Sequence, residues 1–152
     1  MIEPVTLAYI AGIIDGEGTV FISKGRPGKD RATPAYVACV RVGNTDKRLI
    51  EFLHSTFGVG GVYERPMTNA KWKICWLWAV TGPASGRVAR AIRPYVRLKG
   101  AQLDLLLEYL DGFQSFELNG RNGVSDEELN RRESLRQKIR ELNRKGPSEE
   151  RE

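Results

Sequence analysis

The spacing of apolar positions divides the chain into helical and strand-like blocks. Leu7, Ile10, Ile13 and Ile14 recur at helical intervals and predict a helix over about residues 5–17, led in by Pro4 and Thr6. TVFISK, 19–24, alternates as a strand, and AYVACVRVGN, 35–44, reads as a second. Between them GRPGKDRATP, 25–34, has the Gly, Pro and charge content of a long hairpin loop. DKRLIEFLHSTF is amphipathic, with Thr45 as its expected cap and Gly58 as its stop. VGGVYER, 59–65, and WKICWLWAV, 72–80, predict two more strands. PASGRVARAIRP, 83–94, and AQLDLLLEYLDGF, 101–113, predict helices. A last helix is expected over 125–146, opening with Ser125 and Glu128 in capping-box spacing, before a disordered tail at 147–152.

The order α-β-β-α-β-β-α, followed by further helices, is that of an α+β protein with helices on one face of the sheet. A single domain is expected over 1–146, with a core at 5–113 and a helical extension at 114–146. Strand parity then sorts the side chains. With Val40 and Val42 inward, Cys39 and Arg41 point outward. A ladder of Trp72, Ile74, Trp76, Trp78 and Val80 inward leaves Lys71, Lys73 and Cys75 outward, and Tyr63 and Arg65 are placed outward on the third strand.

Charge reinforces that outer face. Residues 1–99 hold 15 Lys and Arg against 7 Asp and Glu, whereas residues 100–152 hold 9 against 12. The basic surplus therefore belongs to the body of the fold, as expected of a surface that meets a polyanion. Ser23, Lys24, Arg26, Lys29 and Arg31 flank the first hairpin, beside Arg41, Tyr63, Arg65, Lys71 and Lys73. A ribbon of strands carrying such side chains can enter a DNA major groove, and a merely solvated basic face is the other reading. No apolar run is long enough to span a membrane. Cys39 and Cys75 are isolated, and the N-terminus lacks a basic start before its apolar run, so a non-secreted, intracellular protein is expected.

Other chemistry is thin. His54 is the single histidine, which disfavours a zinc site or a catalytic triad, and no phosphate-loop pattern occurs. The first helix is more informative. Ala8, Gly12 and Gly16 form a stripe of small residues at a spacing of four, which lets another helix approach closely, from the same chain or from a second copy. At its end two acids, Asp15 and Glu17, face the negative pole of the helix dipole, an unfavourable arrangement that needs a reason.

IAGIIDGEG, residues 10–18, resembles the LAGLIDADG motif of homing endonucleases, with Ile for Leu, Gly for Ala and Glu for the final Asp. VGNTDKRLIEFL, FGVGGVY and IRPYVRLKGAQ resemble further segments of that family, so the likeness covers roughly residues 5–113. It implies a saddle-shaped antiparallel sheet and site-specific cleavage of both strands of a long pseudo-palindromic DNA. A single motif copy implies a homodimer packed along Ala8, Gly12 and Gly16. The resemblance further implies Mg²⁺, with Mn²⁺ able to substitute, held by Glu17 and the Gly16 carbonyl. Lys99 is implied near the scissile phosphate, Asn44 as a water-organising group and Lys47 or Arg48 as a basic one. Asp15 is expected to hydrogen-bond near the helix ends. An intron-RNA maturase or a non-cleaving DNA-binding protein is the alternative on the same fold.

Overall fold

The computed structural model describes residues 1–27, 33–114 and 124–144. Pro4 opens α1 (Pro4–Glu17) in the first turn, where its missing N–H costs nothing. The chain passes directly from α1 into β1 (Gly18–Lys24). A Cβ at Gly18 would lie 2.7 Å from the Ile14 carbonyl oxygen, so the tight exit from the helix requires glycine. β2 (Tyr36–Asn44) returns antiparallel, with Gly18 opposite Val42 and Lys24 opposite Tyr36.

α2 (Lys47–Phe57) is capped by Asp46, whose side chain accepts the Arg48 N–H at 3.0 Å. The cap therefore falls one residue after Thr45. The helix ends at Gly58, whose φ of 64° is the left-handed conformation that glycine adopts without penalty. β3 (Gly61–Arg65), β4 (Cys75–Thr81), α3 (Pro83–Ile92), α4 (Gly100–Gln114) and α5 (Asp126–Asn143) complete the described elements.

The four strands form one antiparallel sheet in the order β1-β2-β4-β3. Each hairpin is joined to the other through β2 and β4, with Val40 opposite Val80 and Val42 opposite Trp78. Val20, Ile22, Val40, Val42, Trp78 and Val80 are buried on the inner face against Ile10, Ile14, Ile50, Leu53, Ile92 and Leu106 from four helices. Each such side chain contributes about 1.5–3 kcal/mol of burial, which is what holds the helices to a single face. No described helix is long and apolar enough to cross a membrane.

Parity places Arg41, Tyr63 and Arg65 on the outer face, as expected, but six side chains differ. Cys39 faces outward yet is buried, because Phe21 stands directly opposite it and Thr81 on its other side. Burial pushes its thiol pKa up. The fourth strand begins only at Cys75, so Trp72 and Ile74 lie before it, exposed at 59% and 47%, and Lys71 and Lys73 sit in the preceding turn instead of alternating along the strand. Lys24 has inner-face parity. Its ammonium lies 3.3 Å from Glu133 of α5 and over the Tyr36 ring, so it is not part of the outer basic surface.

α5 is welded to the body. Leu135 and Ile139 enter the core, and the Ser125 hydroxyl accepts the Glu128 N–H at 3.1 Å. The Glu128 carboxylate does not complete the capping box but receives Arg131 and Arg132. Burial raises the Glu128 pKa, and those two guanidiniums more than reverse the shift. Lys29, Arg31, the expected continuation of the last helix to Gly146 and the tail at 147–152 lie outside the described residues.

Candidate active site

The end of α1 gathers Asp15, Gly16, Glu17, Asn44 and Lys99 among the residues that the sequence singled out. Asp15 accepts the backbone N–H groups of Arg97, Leu98 and Lys99 at 2.8, 3.0 and 3.1 Å. It thereby ties the segment between α3 and α4 to the helix end. The Lys99 ammonium in turn donates to the carbonyls of Ile14, at 2.9 Å, and Gly18. A cation on those carbonyls offsets the negative pole of the helix, whose last turn has no basic residue of its own. The cost of placing Asp15 at this terminus is met by groups from a segment more than 80 residues away. Partial burial lowers the Lys99 pKa, while Asp15 opposes the shift.

Glu17 is exposed beside this bracing. Asn44, at the end of β2, donates its Nδ2 to Glu17 Oε2 at 2.6 Å, and its Oδ1 accepts the Asp46 N–H at 2.7 Å. The carboxylate is thus oriented by the strand and by the start of α2 together. Glu17 Oε1 and the Gly16 carbonyl, which as one of the last in α1 has no intrahelical donor, are hard oxygens suited to a divalent cation. Among the described residues no cluster of three or more acidic, His or Cys side chains stands ready to hold a metal.

Lys47 and Arg48 are not drawn into contact with Glu17. The Lys47 ammonium lies 4.5 Å from the Trp76 ring centroid and 3.4 Å from Glu51. The Arg48 guanidinium is held by Asp46 at 2.8 and 3.1 Å. Arg48 reaches Glu17 only through Asp46 and Asn44. That Asp46 would cap α2 and bridge these groups went unread, though its Asn-x-Asp spacing after a strand was the available signal.

The small-residue stripe is open. Ala8, Gly12 and Gly16 are exposed, and a Cβ added at Gly12 or Gly16 would meet nothing within 4 Å. These glycines do not serve a close contact within the chain. Two shallow grooves flank them, one lined by Tyr9, Ile13, Glu17 and Leu49 and the other by Asp15, Pro94, Tyr95 and Arg97. Val5 and Tyr9 on the same helix are 72% and 58% exposed, a large apolar commitment for a helix that faced only water.

On the outer sheet face, Ser23 donates its hydroxyl to Val37 O at 3.4 Å, and Tyr63 lies opposite Leu77. Arg65 lies opposite Cys75, and Arg26 is exposed beyond the end of β1. Phe21, Val37 and Leu77 also belong to this face, beside the Cys39, Cys75, Tyr63 and basic side chains that the parity reading named.

No family model matches the sequence, and no curated protein matches it significantly. Solved structures do match. The homing endonuclease I-CvuI in complex with the I-CreI target aligns at a TM-score of 0.73 and 18% identity, over 95% of this chain and 86% of that one. The archaeal intron-encoded homing endonuclease I-Vdi141I, complexed with DNA, aligns at 0.74 and 17% identity, over 95% and 88%. The LAGLIDADG homing endonuclease I-SmaMI, bound to cleaved DNA, aligns at 0.70 and 14% identity, over 91% of this chain but only 45% of that one. The fold of this chain is that of the LAGLIDADG homing endonucleases.

Proposed function

We propose that the protein is a homodimeric, divalent-metal-dependent endonuclease that makes double-strand breaks at a long pseudo-palindromic DNA site. The observation that carries this reading is the end of α1. There Glu17 is exposed, Asn44 orients its carboxylate, and Lys99 is drawn in from a remote segment. The open stripe of Ala8, Gly12 and Gly16 runs to the same point, so two-fold packing along it brings two Glu17 carboxylates together. That this chain spans less than half of I-SmaMI fits a site completed by a second copy.

Glu17 and the Gly16 carbonyl of each subunit would hold Mg²⁺ or Mn²⁺. When bound, the cation activates water and stabilises the attacking and leaving oxygens of phosphodiester hydrolysis. I-CvuI has been crystallised on DNA with magnesium and with calcium, which is in keeping with a divalent site in this fold. In the protein's own chemistry, Asn44 fixes the carboxylate. Lys99 keeps one N–H beyond its two carbonyl partners with which to neutralise charge developing on the phosphate. Arg41, Tyr63 and Arg65 would face the major groove from the sheet, with Ser23, Arg26, Lys29, Arg31, Lys71 and Lys73 along the hairpin ends and turns. Lys47 and Arg48 would serve as basic groups at the margin of the site.

The test is cleavage of a plasmid library by the wild-type protein and by Glu17→Gln, with and without Mg²⁺. Metal-dependent double-strand breaks at one nearly palindromic sequence, lost in Glu17→Gln, are expected. Binding to DNA or to intron RNA without cleavage of any library member would replace this reading with a maturase or a non-cleaving regulator.

A further inference from the structure

We propose that Arg41 is a specificity-determining residue that reads one guanine in each half of the DNA target, with Phe21 holding its guanidinium in the reading position. This rests on the endonuclease reading above, in which the outer sheet face enters a major groove.

Arg41 lies near the middle of β2, a strand paired on both sides, so its backbone is among the best anchored in the sheet. Directly across from it stand Thr19 on β1 and Ala79 on β4, and beyond Ala79 stands Gly61 on β3. That row is otherwise made of small side chains, and the arginine is the single long one that can reach outward from it. No carboxylate among the described residues forms an ion pair with Arg41, whereas Arg48, Arg90, Arg93, Arg131, Arg132, Arg136 and Arg144 each have one.

What Arg41 has instead is a ring. Its guanidinium carbon lies 5.1 Å from the centroid of Phe21, its diagonal neighbour across the β1–β2 pair. An aromatic partner differs from an acidic one in what it leaves available. A carboxylate would consume the N–H fork, while a ring restrains the plane and leaves the donors unspent. The result is an exposed, positively charged bidentate donor whose conformational freedom is already reduced. Guanine matches that fork because it presents two acceptors, O6 and N7, side by side on the major-groove edge. The exposed Arg65 has no such partner among the described residues and sits at the end of an edge strand, which suits a phosphate contact.

The register also gives the position. The Thr19–Arg41 row lies one residue beyond the Gly18–Val42 pair, and Gly18 follows Glu17 directly. Two residues of strand span about 7 Å, close to two base-pair steps. The guanine is therefore expected within the first few base pairs outside each cleavage point.

The experiment is selection of bound duplexes from a randomised library by wild-type protein, Arg41→Ala, Arg41→Lys and Phe21→Leu, followed by affinity measurements on the selected site against salt. Wild type is expected to select a G·C pair at two symmetric central positions. Arg41→Ala should lose that preference alone, with binding to the selected site about 10- to 100-fold weaker. Arg41→Lys should keep a diluted preference, and Phe21→Leu should keep its sense with lower affinity. If Arg41→Ala weakens every duplex equally and only reduces the salt slope, Arg41 is a phosphate contact and the inference is overturned. A library from which wild type selects no sequence overturns the endonuclease reading itself, and this inference with it.

Discussion

Asn44 donates its side-chain amide to Glu17 Oε2 at 2.6 Å while accepting the Asp46 N–H at 2.7 Å. One residue thereby couples the end of α1 to the start of α2. A carboxylate at the negative end of a helix has little reason of its own to stay in one rotamer, and Asn44 supplies one. Partners that orient a metal ligand are worth about 10- to 100-fold in metal affinity or activity. Asn44→Ala is therefore expected to raise the Mg²⁺ concentration needed for half-maximal cleavage by about tenfold, with DNA affinity nearly unchanged. A magnesium titration of the cleavage rate, run beside a binding assay in calcium, separates the two effects. Equal losses in both would make Asn44 a DNA contact.

Asp15 makes a different prediction although it lies only two residues from Glu17. Its carboxylate accepts three backbone N–H groups, at Arg97, Leu98 and Lys99, and these are charge-assisted bonds. Asp15→Asn turns an amide N–H₂ toward donors and should cost about 1–3 kcal/mol in urea denaturation. Because Lys99 itself carries one of those N–H groups, the variant should also cleave more slowly even where it remains folded. Unchanged stability would show that the 97–99 segment is held by other contacts.

Gly12 separates monomer folding from association. A Cβ there meets nothing within 4 Å, so Gly12→Leu has room in the chain, and loss of an interior helical glycine gains up to about 1 kcal/mol of helix propensity. The melting temperature at low protein concentration is expected to hold or rise. Self-association measured by sedimentation is expected to fall by tenfold or more, and cleavage with it. Undiminished association would place the dimer contact elsewhere.

These contrasts show how far the sequence could be read. The motif at 10–18 was legible because helical spacing, glycine and acidic residues coincide in one short stretch. The meeting of Asp15 with residues 97–99 is a long-range contact that no local pattern encodes, and only the family likeness brought Lys99 into view. The ion pair of Lys24 was out of reach for a related reason. Its even spacing from Val20 and Ile22 already gave it inner-face parity, but its counter-ion, Glu133, is 109 residues away on a helix whose docking the sequence does not reveal. Trp72 and Ile74 continue the alternation of a strand that stops at Cys75, so periodicity persisted where the ladder had ended. Phe21 was passed over because an aromatic in an alternating strand looks like core, whichever face it occupies.

Glu133 yields the last prediction, and its sign follows from its neighbours. Burial pushes the carboxyl pKa up, but donation from Gln137, Tyr36 and Lys24 outweighs that and brings it to about 2, below the ordinary 4.5. The Tyr36 hydroxyl donates to Glu133 Oε2 at 2.7 Å, and Gln137 and Arg136 donate to Oε1 at 2.8 and 3.1 Å. A depressed carboxylate contributes stability above its unfolded pKa and loses it as pH falls through the folded one. The loss here should run from about pH 4.5 down to pH 2. The full shift would be worth about 3 kcal/mol, and because water reaches this site a contribution of about 1–2 kcal/mol is expected. Urea denaturation from pH 6 to pH 3 should therefore show a declining stability that Glu133→Gln flattens by that amount. The variant should also release the loop end of the β1–β2 hairpin, since Lys24 and Tyr36 close that end of the ribbon. Hydrogen exchange at residues 22–24 and 36–38 should then quicken while the Val40–Val80 region stays protected. A variant with the wild-type pH profile and unchanged exchange would mean that α5 is held by its other contacts, Leu135 and Ile139 in the core and Asn143 on the Val20 carbonyl.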